Sequence, residues 1–121
     1  MSEKINKKEE DKLKDMFDRC AYFSEKIFNH KVPSRNYPQK IPIHITSIIA
    51  ELGEILEEYQ GWKDWRNNPP SVDEEHLIEE IADLWHFVIH LTLFLGYDSE
   101  ELYEAFLKKS KKNFERQENE Y

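Results

Sequence analysis

The chain has 121 residues, 39% of them hydrophobic and 35% charged, with 3 glycines and a formal net charge of −8. That length suits one domain, 1–121, around a modest core, and the acidity argues against broad nucleic-acid binding, which needs clustered cations to displace phosphate counterions. The lone cysteine, Cys20, has no internal disulfide partner and reads as a buried thiol in a reducing compartment.

In chain order, the opening "MSEKINKKEEDK" is polar, lacks the apolar run of a leader, and predicts frayed residues 1–8 in a cytoplasmic protein. A first helix is predicted over about 9–29, with Leu13, Met16, Phe17, Cys20, Phe23 and Ile27 at helical spacing. The stretch "NHKVPSRNYPQKIP", with prolines at 33, 38 and 42, breaks it. A second helix is predicted from about Ile43 to Gln60, with Gly61 placed to cap it. The loop "GWKDWRNNPPS" follows, and Ser71 or Asp73 can cap a third helix over about 73–95, ending at Gly96. Its apolar run includes Asp83, His86 and His90, too polar for a membrane span. Ser99 fits the cap of a fourth helix over about 100–117. No strand pattern stands out, so the fold class is all-α, a four-helix bundle.

Two of these helices carry the same device. At roughly 100° per residue, Glu54 and Glu58 fall within about 60° of Glu51, on the border of an arc of Ile48, Ile49, Leu52, Ile55, Leu56 and Tyr59. Glu57 lies on the solvent side. On the third helix, Asp83 and Phe87 lie close to Glu80, again bordering the apolar arc. Trp85, deep in that arc, is expected in the core, and His86 faces away from the acidic stripe. If the apolar faces pack together, the four carboxylates converge and repel one another. A hard cation resolves such a conflict, and Mg²⁺ suits carboxylate oxygens and bridges to phosphates. The plainer alternative is two amphipathic helices whose border residues happen to be acidic.

These residues resemble the all-α NTP pyrophosphatase (MazG-like) superfamily, and within it the dimeric-type dUTPases. Glu51/Glu54 and Glu80/Asp83 match the paired acidic motifs, "GWKDW" matches an aromatic–lysine–tryptophan stretch, and "KSKKNFERQENEY" matches most of a C-terminal signature. The resemblance covers about 43–121. It implies hydrolysis of dUTP to dUMP and pyrophosphate, with Mg²⁺ held by Glu51, Glu54, Glu80 and Asp83 and with Glu51 orienting or deprotonating the attacking water. Glu58 is a candidate outer ligand. The implied substrate contacts are Trp62, Lys63, Trp65, Phe87, Lys109, Asn113, Arg116 and Tyr121. A homodimer is also implied. Ser110 and Glu120 depart from the signature, and residues 1–29 contain no Gln of the kind that reads uracil in such enzymes, with Cys20 near its place. Another pyrimidine nucleotide, such as dCTP, therefore stays open as substrate.

Two rivals differ in class. Asp83 and His86 form Asp-x-x-His, a variant of a di-iron ligand motif, but Glu51/Glu54 supplies no matching histidine. A non-catalytic helical interaction module explains the amphipathicity and charge but not the C-terminal match.

Overall fold

The computed structural model describes residues 10–60, 63, 65–68 and 71–119. The expected fraying of 1–8 and the capping role expected of Gly61 lie outside them. Four helices follow in order: α1 (Lys12–Phe28), α2 (Lys40–Tyr59), α3 (Glu74–Phe94) and α4 (Ser99–Glu118). Among the described residues there is no strand, so the all-α expectation holds.

Each helix starts for a local reason. The Asp11 carboxylate accepts from the Lys14 amide at 2.9 Å, occupying one of the amide donors left over in the first turn of α1. Asn29 closes that helix in the left-handed region at φ 56°, its amide donating to Glu25 O. α2 begins at Lys40, three residues before the sequence suggests, and so contains Pro42. In a first turn proline gives up no helical hydrogen bond, so it did not delay the helix as a breaker would. Asp73 rather than Ser71 caps α3, accepting from the His76 amide at 3.1 Å. Asp98 rather than Ser99 caps α4. Its carboxylate accepts from Glu101 N at 2.9 Å, while the Glu101 carboxylate accepts from Asp98 N at 3.0 Å.

The core is small. Phe17 and Cys20 of α1 meet Ile89 and Leu93 of α3, with Leu13, Ala21, Val32 and Leu102 packed around them. Cys20 is a free, buried thiol whose pKa burial pushes up, in keeping with an inert packing role. α2 packs lengthwise on α3, and α1 packs on both α3 and α4. The proline-rich connection fastens the far end of α3. There Ser34 N donates to Leu93 O, and Arg35 donates through Nε to Leu95 O and through Nη2 to Tyr97 Oη. Gly96 turns the chain beneath it at φ 94°, where a Cβ would stand 2.9 Å from Arg35 Cγ.

The apolar arcs of α2 and α3 are wider than the area they bury. Ile49, Leu52, Tyr59 and Ile78 are exposed, and Trp85, expected in the core, is 47% exposed. The helical wheel gave the arc's direction correctly, but α2 covers only one flank of α3 and leaves Trp85 on the other.

Asp98→Ala removes one half of the reciprocal cap on α4. It should cost about 1 kcal/mol of stability, read from urea denaturation. An unchanged midpoint would show that α4 contributes nothing to the cooperative unit.

Candidate functional site

The α2–α3 seam is antiparallel, and its facing residues change character along its length. At one end, His44 of α2 stacks on His90 of α3, with ring centroids 5.6 Å apart and planes 8° from parallel. In the middle, Glu51 and Glu54 of α2 meet Glu80 of α3, each offering a carboxylate oxygen within 4.8 Å of the others. Beyond them, the His76 imidazole stands between two carboxylates, with Nδ1 2.7 Å from Glu58 Oε2 and Nε2 3.2 Å from Glu80 Oε1.

The central trio is electrostatically uncomfortable. Glu51 Oε2 and Glu80 Oε2 are buried and have no hydrogen-bond partner. Burial, then contact with Glu80 and Glu54, pushes the Glu51 pKa up to about 7. Glu80 is also raised, first by Glu54 and then by burial, while Glu51 and His76 pull the other way. His76 is raised by its bond to Glu58. A proton or a cation must therefore settle among these carboxylates at neutral pH. Three carboxylates with converging oxygens, two of which also carry an unpartnered buried oxygen, suit a hard divalent cation that prefers oxygen ligands.

The structure brings Glu51, Glu54 and Glu80 together as the sequence reading expected, but not Asp83. Asp83 is exposed and outside the trio. It sits about 60° around α3 from Glu80, and its side chain is one methylene shorter. Phe87 is half-buried beside the histidine end of the seam. Lys63 is half-buried and its amide donates to Gln60 O, whereas Trp65 is exposed. Lys109, Asn113 and Arg116 lie on the outer half of α4, where every residue from Tyr103 to Asn119 is exposed. Trp62 and Tyr121 lie outside the described residues. His86 is exposed, with Nδ1 2.9 Å from Ala82 O and no place in the trio.

Sequence reasoning passed over His76, Ser24, His44 and His90. For His76 a signal existed, since it precedes Glu80 by one turn and so shares its face. For the His44–His90 pair the sequence held none, because a single helix wheel carries no information on the register between two helices.

Seam, trio and bundle together define an all-α protein with a carboxylate centre between two helices. The model of the dUTPase family matches residues 12–95, and the chain belongs to that family of all-α nucleotide pyrophosphohydrolases. It is similar to the dCTP pyrophosphatase of Enterobacteria phage T4, 30% identical over 89 residues, which is 61% of this chain and 52% of that protein. The match thus spans about half the length of that curated relative. No solved structure matches. Among the described residues no helix is long and apolar enough to cross a membrane.

The raised Glu51 pKa sets a pH dependence of stability for the metal-free protein. The folded chain holds the Glu51 proton more tightly than the unfolded one, where the pKa is about 4.3. This contribution is complete below that value and is lost as pH rises through about 7. Thermal denaturation between about pH 5 and pH 8 should show stability falling, and Glu51→Gln should flatten the fall. His76 acts in the same sense, so an equal slope in wild type and variant would assign the effect to His76 instead.

Proposed function

We propose that the chain is a divalent-cation-dependent nucleotide pyrophosphohydrolase, in one domain, that converts a pyrimidine deoxynucleoside triphosphate to its monophosphate and pyrophosphate. dUTP is the foremost substrate, and the observation that carries the reading is the carboxylate trio with two buried, unpartnered oxygens in a chain of the dUTPase family. dCTP is the second reading, favoured by the T4 relative and by the absence of Gln from residues 1–29. A helical interaction module would have no use for buried carboxylate oxygens that lack partners.

Glu51, Glu54 and Glu80 would hold Mg²⁺, with exposed Asp83 and the Glu58–His76 pair as outer groups. When bound, the cation neutralises phosphate charge and polarises phosphorus. Glu51 orients the attacking water and accepts its proton. Its position between Glu54 and Glu80 suits this, because it is the carboxylate on which burial and both neighbours converge. His76 bonds Glu80 from behind and fixes where that carboxylate points. Trp62, Lys63 and Trp65 on the loop, and Lys109, Asn113, Arg116 and Tyr121 at the C-terminal end, are proposed substrate contacts.

The active form is a homodimer. What supports this is the uncovered apolar surface on α2 and α3, including Ile45, Ile49, Leu52, Ile78 and Trp85. Light scattering at micromolar concentration should return twice the 14.7 kDa chain mass. A monomer there would overturn the dimer.

The function is tested with a panel of dUTP, dUDP, dCTP, dTTP and UTP plus Mg²⁺, reading pyrophosphate or phosphate release. Pyrophosphate from dUTP or dCTP is expected, and chelation should abolish it. Glu51→Gln should lower the rate by at least about 100-fold. No release from any member would refute the proposal.

A further inference from the structure

The carboxylate trio has an imidazole on its rim. His76 and Glu80 stand four residues apart on α3, so they share one face of the helix. His76 Nε2 is 3.2 Å from Glu80 Oε1, and on the other side of the ring Nδ1 is 2.7 Å from Glu58 Oε2 of α2. A neutral imidazole carries one ring proton. The shorter contact takes it, with Nδ1–H donating to Glu58. Nε2 then presents its lone pair to a carboxylate oxygen, and only a positive occupant makes that contact favourable. The occupant is either a second proton on the ring or a cation held by both atoms.

The spacing suits the cation. On a coordination shell of about 2.1 Å, neighbouring donor atoms stand roughly 3.0 Å apart at a right angle and roughly 3.4 Å apart at the tetrahedral angle. The His76–Glu80 separation falls between the two. A carboxylate behind the ring is what a metal-binding histidine uses, since it fixes the tautomer and makes the other nitrogen more basic. Glu58 stands there. Glu80 remains a member of the trio, because its second oxygen, Oε2, is buried and unpartnered. The approach is open. The imidazole is 50% exposed and borders a hollow of about 390 Å³ with Glu54, Glu57 and Glu58 on its other walls. Gly53, on the same wall, faces open space.

We propose that His76 Nε2 and Glu80 Oε1 form a second cation position beside the trio, with Glu58 behind the ring, and that it takes a first-row transition cation such as Zn²⁺ or Co²⁺ in preference to Mg²⁺. This deepens the pyrophosphohydrolase reading and takes from it only that the carboxylates hold a cation. The nitrogen is the basis of the selectivity. Mg²⁺ prefers oxygen and keeps its waters, whereas imidazole suits the later transition metals. Two protein ligands leave the rest of the shell to water, so the position is open, unlike a closed structural site with four protein ligands. The cluster thus has an all-oxygen part and a mixed part, joined through Glu80.

The test is metal binding by the full chain without nucleotide. Metal-free protein is titrated with Zn²⁺ and with Mg²⁺ by calorimetry, and the ring nitrogens are followed by ¹⁵N NMR. Zn²⁺ should shift the His76 Nε2 resonance and leave Nδ1 carrying its proton, whereas Mg²⁺ should leave Nε2 in place. His76→Gln should weaken Zn²⁺ by at least roughly 10-fold and change Mg²⁺ affinity by less than roughly 2-fold. Glu58→Gln, which keeps the ring but weakens its support, should also cost Zn²⁺ roughly 10-fold. An unmoved His76 Nε2 at saturating Zn²⁺, or an unchanged Zn²⁺ affinity in His76→Gln, would overturn the inference. So would an equal loss of Zn²⁺ and Mg²⁺ in that variant, because the ring would then only position Glu80. Zn²⁺ binding as expected with no pyrophosphate release from any nucleotide would sink the proposed reaction but leave this cation position standing. Release supported by Mg²⁺, with His76 Nε2 unmoved by Zn²⁺, would do the reverse.

Discussion

Everything at the centre of this molecule depends on holding like charges together. Glu51, Glu54 and Glu80 would separate if they were free to do so. They converge because the apolar faces of α2 and α3 pack along a shared seam and carry their acidic borders with them. The helices thus lend hydrophobic free energy to an arrangement that electrostatics opposes. Two consequences are visible in the structure. Carboxylate oxygens are left without partners, and Glu51 keeps a proton far above the usual range for its type. The site is stable as built only when something positive sits in it.

The same seam supplies its other chemistry through register. Because α2 and α3 run antiparallel, moving away from the trio in one direction pairs Glu58 with His76, and in the other pairs His44 with His90. The first pair is hydrogen-bonded, partly exposed and joined to the trio through the His76–Glu80 contact. The second is neutral, and its buried ring nitrogens are turned toward a cavity. The contrast follows from what covers each end. Phe23 of α1 packs against His90 and excludes water there, whereas the end bearing His76 stays open.

This explains which parts of the protein were legible in its sequence. Periodicity within one helix fixes an azimuth, so the acidic border of α2 and its repeat on α3 could be read, and Glu51, Glu54 and Glu80 do meet. Periodicity does not fix how wide an arc the partner covers. Trp85 was assigned to the core from the same wheel as Glu80 and is 47% exposed, and Asp83 is exposed and outside the trio. Cap chemistry was legible to within two residues for α3 and α4, since Asp73 was one of the two expected caps and Asp98 stands beside Ser99. Only geometry could choose between Asp98 and Ser99. The His44–His90 stack needed both the register and the third helix, and neither is written in a local pattern. For Lys109, Asn113 and Arg116 the sequence match named residues without saying where α4 points, and α4 leaves them on an exposed surface.

On the proposed reading, charge is confined to one part of the seam. An acidic trio in a chain of net charge −8 repels a polyphosphate until a divalent cation reverses its local sign. The cation that relieves the carboxylates is then also what admits the substrate, so metal and nucleotide affinity must be thermodynamically linked. The two imidazoles of the cavity are neutral at neutral pH, and His44 lies about 10 Å along the helix axis from Glu51. Loading the metal therefore changes the charge of the carboxylate part of the seam and leaves the His44–His90 pair as it is.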